Sequence, residues 1–143
     1  MEEQLSKYSI IEAYPVHWGD MDAAKHVNNL IYLRWAESIR LSYFKAMGMD
    51  LSFSNAEADP IMGWQDCKYI FPVTHPDTII AAARTIEVLD DRFFMEIAIF
   101  SKKHQRIVAI SKQRIIPYSY NLSKKVRMPK SWVKAIEQIE KGK

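Results

Sequence analysis

The stretch Val16–Met47, VHWGDMDAAKHVNNLIYLRWAESIRLSYFKAM, changes its hydrophobic period in the middle, and that change sets the architecture. Up to Trp18 the pattern is that of a strand: Tyr8, Ile10, Tyr14, Val16 and Trp18 share one period-2 track. Pro15 places this strand at an edge or a bend, because proline cannot donate to a ladder. From Leu30 onward the pattern is that of one long helix. Between them lies a polar turn carrying Asp20, Asp22, His26, Asn28 and Asn29. A strand that ends in carboxylates and feeds a helix N-terminus sets acids beside unpaired backbone N–H groups, a ready site for an anion or oxyanion.

Working outward, Asn28 is placed to cap the helix and Gly48 to end it, which predicts a helix near 28–47. At about 100° per residue, Ile31, Tyr32, Trp35, Ala36, Ile39, Tyr43 and Ala46 fill a broad arc. Leu30, Leu33, Leu41 and Phe44 add apolar surface on the other side, and Arg34, Glu37, Arg40 and Lys45 are the only charges. A helix this apolar needs cover over most of its girth. Residues 49–60 form a polar connector, after which four strand-like runs follow: Ile61–Val73, Thr78–Leu89, Arg92–Ser101 and Arg106–Tyr118. Their breaks hold turn residues, so a meander of antiparallel strands is expected. The order strand, long helix, four strands predicts an α+β fold with the helix on one sheet face. Residues 119–128 read as a basic linker, and Pro129 opens a last short helix with Trp132, Ile136 and Ile139 on one stripe.

The 143 residues make one domain, with a core from about 8 to 118 and an appendage over 119–143. A 48% hydrophobic and 26% charged chain is ordinary for a soluble protein. The net charge of +3 suits an anionic ligand but is too weak to argue for nucleic acid. A single cysteine, Cys67, allows no internal disulfide and suggests a reducing compartment. The start MEEQLSKYS lacks the apolar run of a signal peptide, and no stretch is long enough to span a bilayer. A cytoplasmic protein that does not engage membranes is expected.

The run Asp20-Met21-Asp22, then His26-Val27-Asn28-Asn29, with Tyr32, Glu37 and Arg40 downstream, resembles the hotdog-fold acyl-CoA thioesterases, more narrowly the 4-hydroxybenzoyl-CoA thioesterase-like branch. The likeness covers roughly Tyr8 to Tyr118. It implies a long central helix wrapped by a five-stranded antiparallel sheet, with a short C-terminal helix appended here. It also implies hydrolysis of an acyl-CoA thioester, with coenzyme A entering only as part of the substrate. No separate cofactor and no metal are implied. Such proteins are homodimers or homotetramers with acyl sites between subunits, which an incompletely covered apolar helix would fit.

The resemblance makes Asp22 the catalytic carboxylate, a nucleophile or a general base. From spacing alone, Asp22 reads as a turn or capping residue; the resemblance reverses that preference. Motif matching places the amide that polarises the thioester carbonyl at Asn29, where the helix-dipole argument also points. His26 takes an orienting role, and Asp20 bonds the turn backbone. One departure stands out: where the family often has glycine before this histidine, the chain has Lys25, and a positive φ there would strain a lysine. Glu37, a position where some other hotdog thioesterases carry the catalytic acid, reads instead as part of an ion-pair ladder with Arg34 and Arg40. Tyr32 and Trp35 read as core or subunit contact.

Other chemistries fit less well. His17, Asp20, Asp22 and His26 are metal-ligand types, but their spacing matches no zinc pattern. No G-x-S-x-G elbow is present, and Cys67 reads as a small core residue within a strand. Lys102, Lys103, Arg106, Lys124, Lys125 and Arg127 are available to coenzyme A phosphates, although such runs are usually solvated surface. The rival readings are a non-catalytic acyl-CoA binding protein on the same fold and a hotdog dehydratase acting on hydroxyacyl thioesters.

Overall fold

The computed structural model describes residues 1–51 and 57–143, so part of the polar connector lies outside the described residues. Five principal strands run in the order β1 (Ile10–Pro15), β4 (Thr78–Val88), β5 (Phe93–Ser101), β6 (Arg106–Ser119) and β2 (Asp59–Gln65), every neighbour antiparallel. β1 is indeed an edge, where Pro15, opposite Thr78, costs no ladder bond. Two short additions, β3 (Lys68–Tyr69) and β7 (Lys124–Lys125), also pair with β6 and bring the sheet to seven strands.

The run expected as one strand over 61–73 is broken at Asp66. There the carboxylate accepts from the Lys112 N–H at 2.7 Å, and the Ser111 hydroxyl donates to the Asp66 carbonyl at 2.7 Å. Side-chain bonds thus supplement the one backbone bond there, from the Asp66 N–H to the Lys112 carbonyl at 3.1 Å, where the regular ladder stops. Cys67 falls in the break, half-buried, rather than inside a strand. A bulge between Met62 and Trp64 sets Gly63 against β6, where an added Cβ would lie 2.4 Å from Ile116 Cδ1.

The helix α2 (Asn29–Ala46) forms where its periodicity predicts, with the Asn28 side chain accepting from the Leu30 N–H at 2.9 Å and Gly48 at φ +84° beyond its end. Tyr32, Trp35, Ala36, Ile39, Tyr43 and Phe44 are buried against the concave sheet face with Ile79, Ala81, Ala83, Met95 and Ile97. Burial does not follow the arc alone. Phe44, assigned to the far side, is buried, while Ala46 in the last turn is exposed. Leu30 and Leu41 stay 64% and 42% exposed, so the sheet covers the helix incompletely.

The track expected from Tyr8 to Trp18 survives only from Ile10 to Val16. Trp18 sits in a 3-10 turn (Trp18–Asp20), 75% exposed. Tyr8 crosses to the convex face, where it joins Leu5, Ile80, Ala82, Ala98 and Phe100 in a second small core. Leu5 belongs to a short helix α1 (Glu2–Leu5) that the periodicity did not reveal. Beyond β7, α3 (Lys130–Glu140) buries Trp132 and Ile136. Its last residue, Glu140, accepts from the Tyr43 hydroxyl at 2.7 Å and the Thr85 N–H at 3.2 Å, pinning the appendage to the domain. Among the described residues no helix is long and apolar enough to cross a membrane.

Candidate active site

The polar turn is built almost wholly from its own backbone. The Asp20 carboxylate accepts from the His17 N–H at 2.8 Å, as expected of a turn-capping acid, and the Asp20 carbonyl accepts from the Asn28 N–H at 2.9 Å. Asp22 organises the next turn: its N–H donates to the His26 carbonyl (3.1 Å), its carbonyl accepts from Lys25 (2.9 Å), and its Oδ1 accepts from Ala24 (2.9 Å). Closing so tight a loop puts Lys25 at φ +64°, the left-handed conformation that favours glycine. Met21 then bridges Val27, and the Val27 N–H donates to the Val73 carbonyl at 2.9 Å.

At the helix start the Leu30 N–H is taken by the Asn28 side chain and the Ile31 N–H by the Asn28 carbonyl. The Asn29 N–H makes no hydrogen bond to a described residue. It is one of the donors a helix cannot satisfy internally. The Asn29 carbonyl accepts from the Tyr69 hydroxyl at 3.1 Å, which ties β3 to the helix start.

Two clefts open on this turn. One, of about 330 Å³, is lined by Asn29 and His26 with Tyr32, Tyr69, Ile70 and Phe71. The other, of about 570 Å³, is lined by Asp22 and Lys25 with Trp18, Met21, Thr74 and His75. Asn29 and His26 therefore share a cleft, whereas Asp22 faces the neighbouring one. The aromatic wall of the first, Tyr69 to Phe71, was missed in the sequence because it read as ordinary strand.

Val73 anchors the segment that lines both clefts. Its N–H donates to the Tyr32 hydroxyl at 3.1 Å and its carbonyl accepts from Val27. Tyr32, expected only as packing, thus has a polar duty, and burial raises its pKa. Burial also pushes the Cys67 thiol up, which disfavours the thiolate a nucleophile needs. The expected ladder on α2 reduces to Glu37–Arg40 at 3.7 Å. Arg40 turns inward to donate to Gln113 at 2.9 Å, and its desolvation lowers its pKa. Among the described residues no three of His, Cys, Asp and Glu are grouped to hold a metal ion.

The basic residues divide into two sets. Lys102, Lys103 and Arg106 flank the β5–β6 turn, with the Arg106 guanidinium 4.6 Å from the centre of the Phe71 ring. Lys124 and Lys125 pair with Ser119 and Tyr118 at the opposite end of β6.

The profile of the thioesterase-like superfamily matches residues 16–136. No curated protein matches the sequence. Among solved structures, the PA2801 protein from Pseudomonas aeruginosa is 25% identical, with a TM-score of 0.80 over 90% of this chain and 98% of its own. A thioesterase from Thermus thermophilus, complexed with coenzyme A and Zn, is 18% identical, with a TM-score of 0.84 over 94% of this chain and 96% of its own. The 1,4-dihydroxy-2-naphthoyl-CoA thioesterase from Synechocystis is 16% identical, with a TM-score of 0.79 over 89% of this chain and 94% of its own. The sheet curled round a long helix is the hotdog fold, and this chain belongs to the thioesterase-like superfamily.

Proposed function

We propose that this protein hydrolyses an acyl-CoA thioester to the free acid and coenzyme A. The observation that carries the reading is the unpartnered Asn29 amide at the N-terminus of an 18-residue helix, in a residue that lines a largely apolar cleft. A thioester carbonyl seated there receives the N–H and the positive end of the helix dipole as negative charge develops on oxygen. One such donor contributes about 3–4 kcal/mol to a transition state. Asp22 supplies the carboxylate. Its Oδ1 is held by Ala24, and Oδ2, which bonds no described residue, either attacks the carbonyl to give a mixed anhydride or activates the hydrolytic water. The His26 carbonyl holds the Asp22 amide, and His26 lines the cleft beside Asn29, where its side chain would orient the substrate. The mechanism uses no metal.

Because Asp22 and Asn29 face different clefts of one protomer, the complete site belongs at a contact between copies. The exposed flank of α2 at Leu30 and Leu41, with Tyr69 and Ile70 beside it, provides apolar surface for a homodimer or homotetramer. Coenzyme A as carrier is supported by the complex of the Thermus thermophilus neighbour.

The test is thiol release from short, long and aromatic acyl-CoAs by the native protein and by Asp22→Asn. The asparagine keeps the Oδ1 acceptor for Ala24, so the turn is retained. Turnover that collapses in the variant while acyl-CoA still binds is the expected result. Equal rates in both proteins would move the chemistry away from Asp22, with Glu37 next to test. Binding without release in either would leave a non-catalytic acyl-CoA binding protein.

A further inference from the structure

Given that reading, we infer that the turn between β5 and β6 is the subsite for the phosphates of the coenzyme, with Arg106 as its centre and Lys102 and Lys103 flanking it. Phe71 connects the two places. One side of its surroundings is the cleft that holds the Asn29 amide. Above its ring, at 4.6 Å, lies the Arg106 guanidinium, and the His104 ring lies 4.7 Å away. The cation–π contact holds an exposed guanidinium at a fixed place beside the cleft wall, where its N–H donors are available to phosphate oxygens.

These cations are also uncommitted. Arg106, Lys102 and Lys103 form no salt bridge with a described residue. The nearby acid, Asp77, is occupied by the Ser101 hydroxyl and by the Thr78 and Lys103 amides. The turn therefore carries three exposed positive charges.

The other basic set lies away from Phe71 within one copy of the chain. Lys124 and Lys125 lie beside Ser119 and Tyr118, thirteen residues along β6 from Arg106. At about 3.3 Å per residue the strand between them measures roughly 40 Å along its own contour, which sets the two basic sets at opposite ends of β6. In a coenzyme A thioester the pantetheine arm separates the reacting carbonyl from the phosphates, so a phosphate subsite belongs beyond the rim of the amide cleft. Arg106, which contacts the Phe71 ring but does not line the cleft, is placed for this. The compactness of the patch and its ring-held guanidinium favour a small nucleotide over the broad acidic surface of an acyl carrier protein.

The test compares one acyl group carried by coenzyme A, by 3′-dephospho-coenzyme A, by phosphate-free pantetheine and by an acyl carrier protein, in the native protein, Arg106→Ala and Lys102→Ala/Lys103→Ala. The expected result for Arg106→Ala is a roughly fivefold or larger rise in KM for the coenzyme A thioester, with kcat retained. Its selectivity for that thioester over the pantetheine one should fall by the same factor. Added salt should erode the native selectivity in parallel. An unchanged selectivity ratio in both variants would overturn the assignment. So would a loss confined to the acyl carrier protein, which would make the turn a protein-docking surface. Should no thioester be hydrolysed, the proposed activity fails separately. Calorimetric binding of coenzyme A itself to native and Arg106→Ala protein still decides the subsite, equal affinities overturning it.

Discussion

The buried Val73 amide donates to the hydroxyl of Tyr32, forty-one residues away, at 3.1 Å. With the Val27 amide bonded to the Val73 carbonyl, this single residue locks the first turns of α2 to the segment that lines both clefts. Tyr32→Phe removes the acceptor and strands a fully buried N–H. A loss of stability of about 1–3 kcal/mol is expected. It should appear in denaturant unfolding as a lower midpoint at unchanged slope, and an unchanged midpoint would deny Tyr32 this role.

Lys25 holds φ +64° in the turn that presents Asp22. A left-handed non-glycine residue costs about 1–2 kcal/mol, and the extra chain entropy of glycine returns about 0.5–1 kcal/mol of that. Lys25→Gly is therefore expected to stabilise the fold by about 0.5–1 kcal/mol, measured by chemical denaturation. A destabilised variant would mean that the lysine side chain makes a compensating contact.

Asn29→Pro separates amide chemistry from helix integrity. Proline is tolerated at the first helical position, and Asn28 already has the extended φ of −60° and ψ of 140° that a following proline demands. The helix and its stability should survive, while deletion of the N–H should lower kcat by about 10²–10³. Asn29→Ala, which keeps the amide, is the reference. Equal kcat in the two variants would remove the Asn29 N–H from the mechanism.

Acid stability should depend on Glu96. Desolvation acts to raise its pKa, but the Tyr8 hydroxyl at 2.7 Å, with the charges of Arg84 and Lys7, outweighs it and holds the carboxyl below its ordinary value. A carboxylate whose folded pKa is depressed adds stability above its unfolded value of about 4.3, and that stability is lost as pH falls through the folded value. Glu96→Gln should therefore be the less stable protein near neutrality and show a shallower fall below about pH 4. Parallel stability–pH curves for the two proteins would rule this out.

The period change at Val16–Met47, the Asn28 cap and the Gly48 stop were legible in the sequence because helix formation and capping act over a few residues. The bounds of β4, β5 and β6 were legible for the same reason, since turn residues punctuate them, whereas β7 fell inside the stretch read as a basic linker. The acidic turn, too, could be read as a local device, and Asp20 and Asp22 do bond its backbone. Other features depend on residues far apart in the chain. Asp66 divides the 61–73 run because β6 offers it Lys112 and Ser111. Trp18 leaves its track because the chain turns to meet the helix. The partner of Tyr32, the separate clefts of Asp22 and Asn29, and the place of Arg106 over Phe71 are likewise tertiary. Periodicity fixes which face a side chain takes within its own element, whereas its contacts with a distant segment are decided only when the sheet closes round the helix.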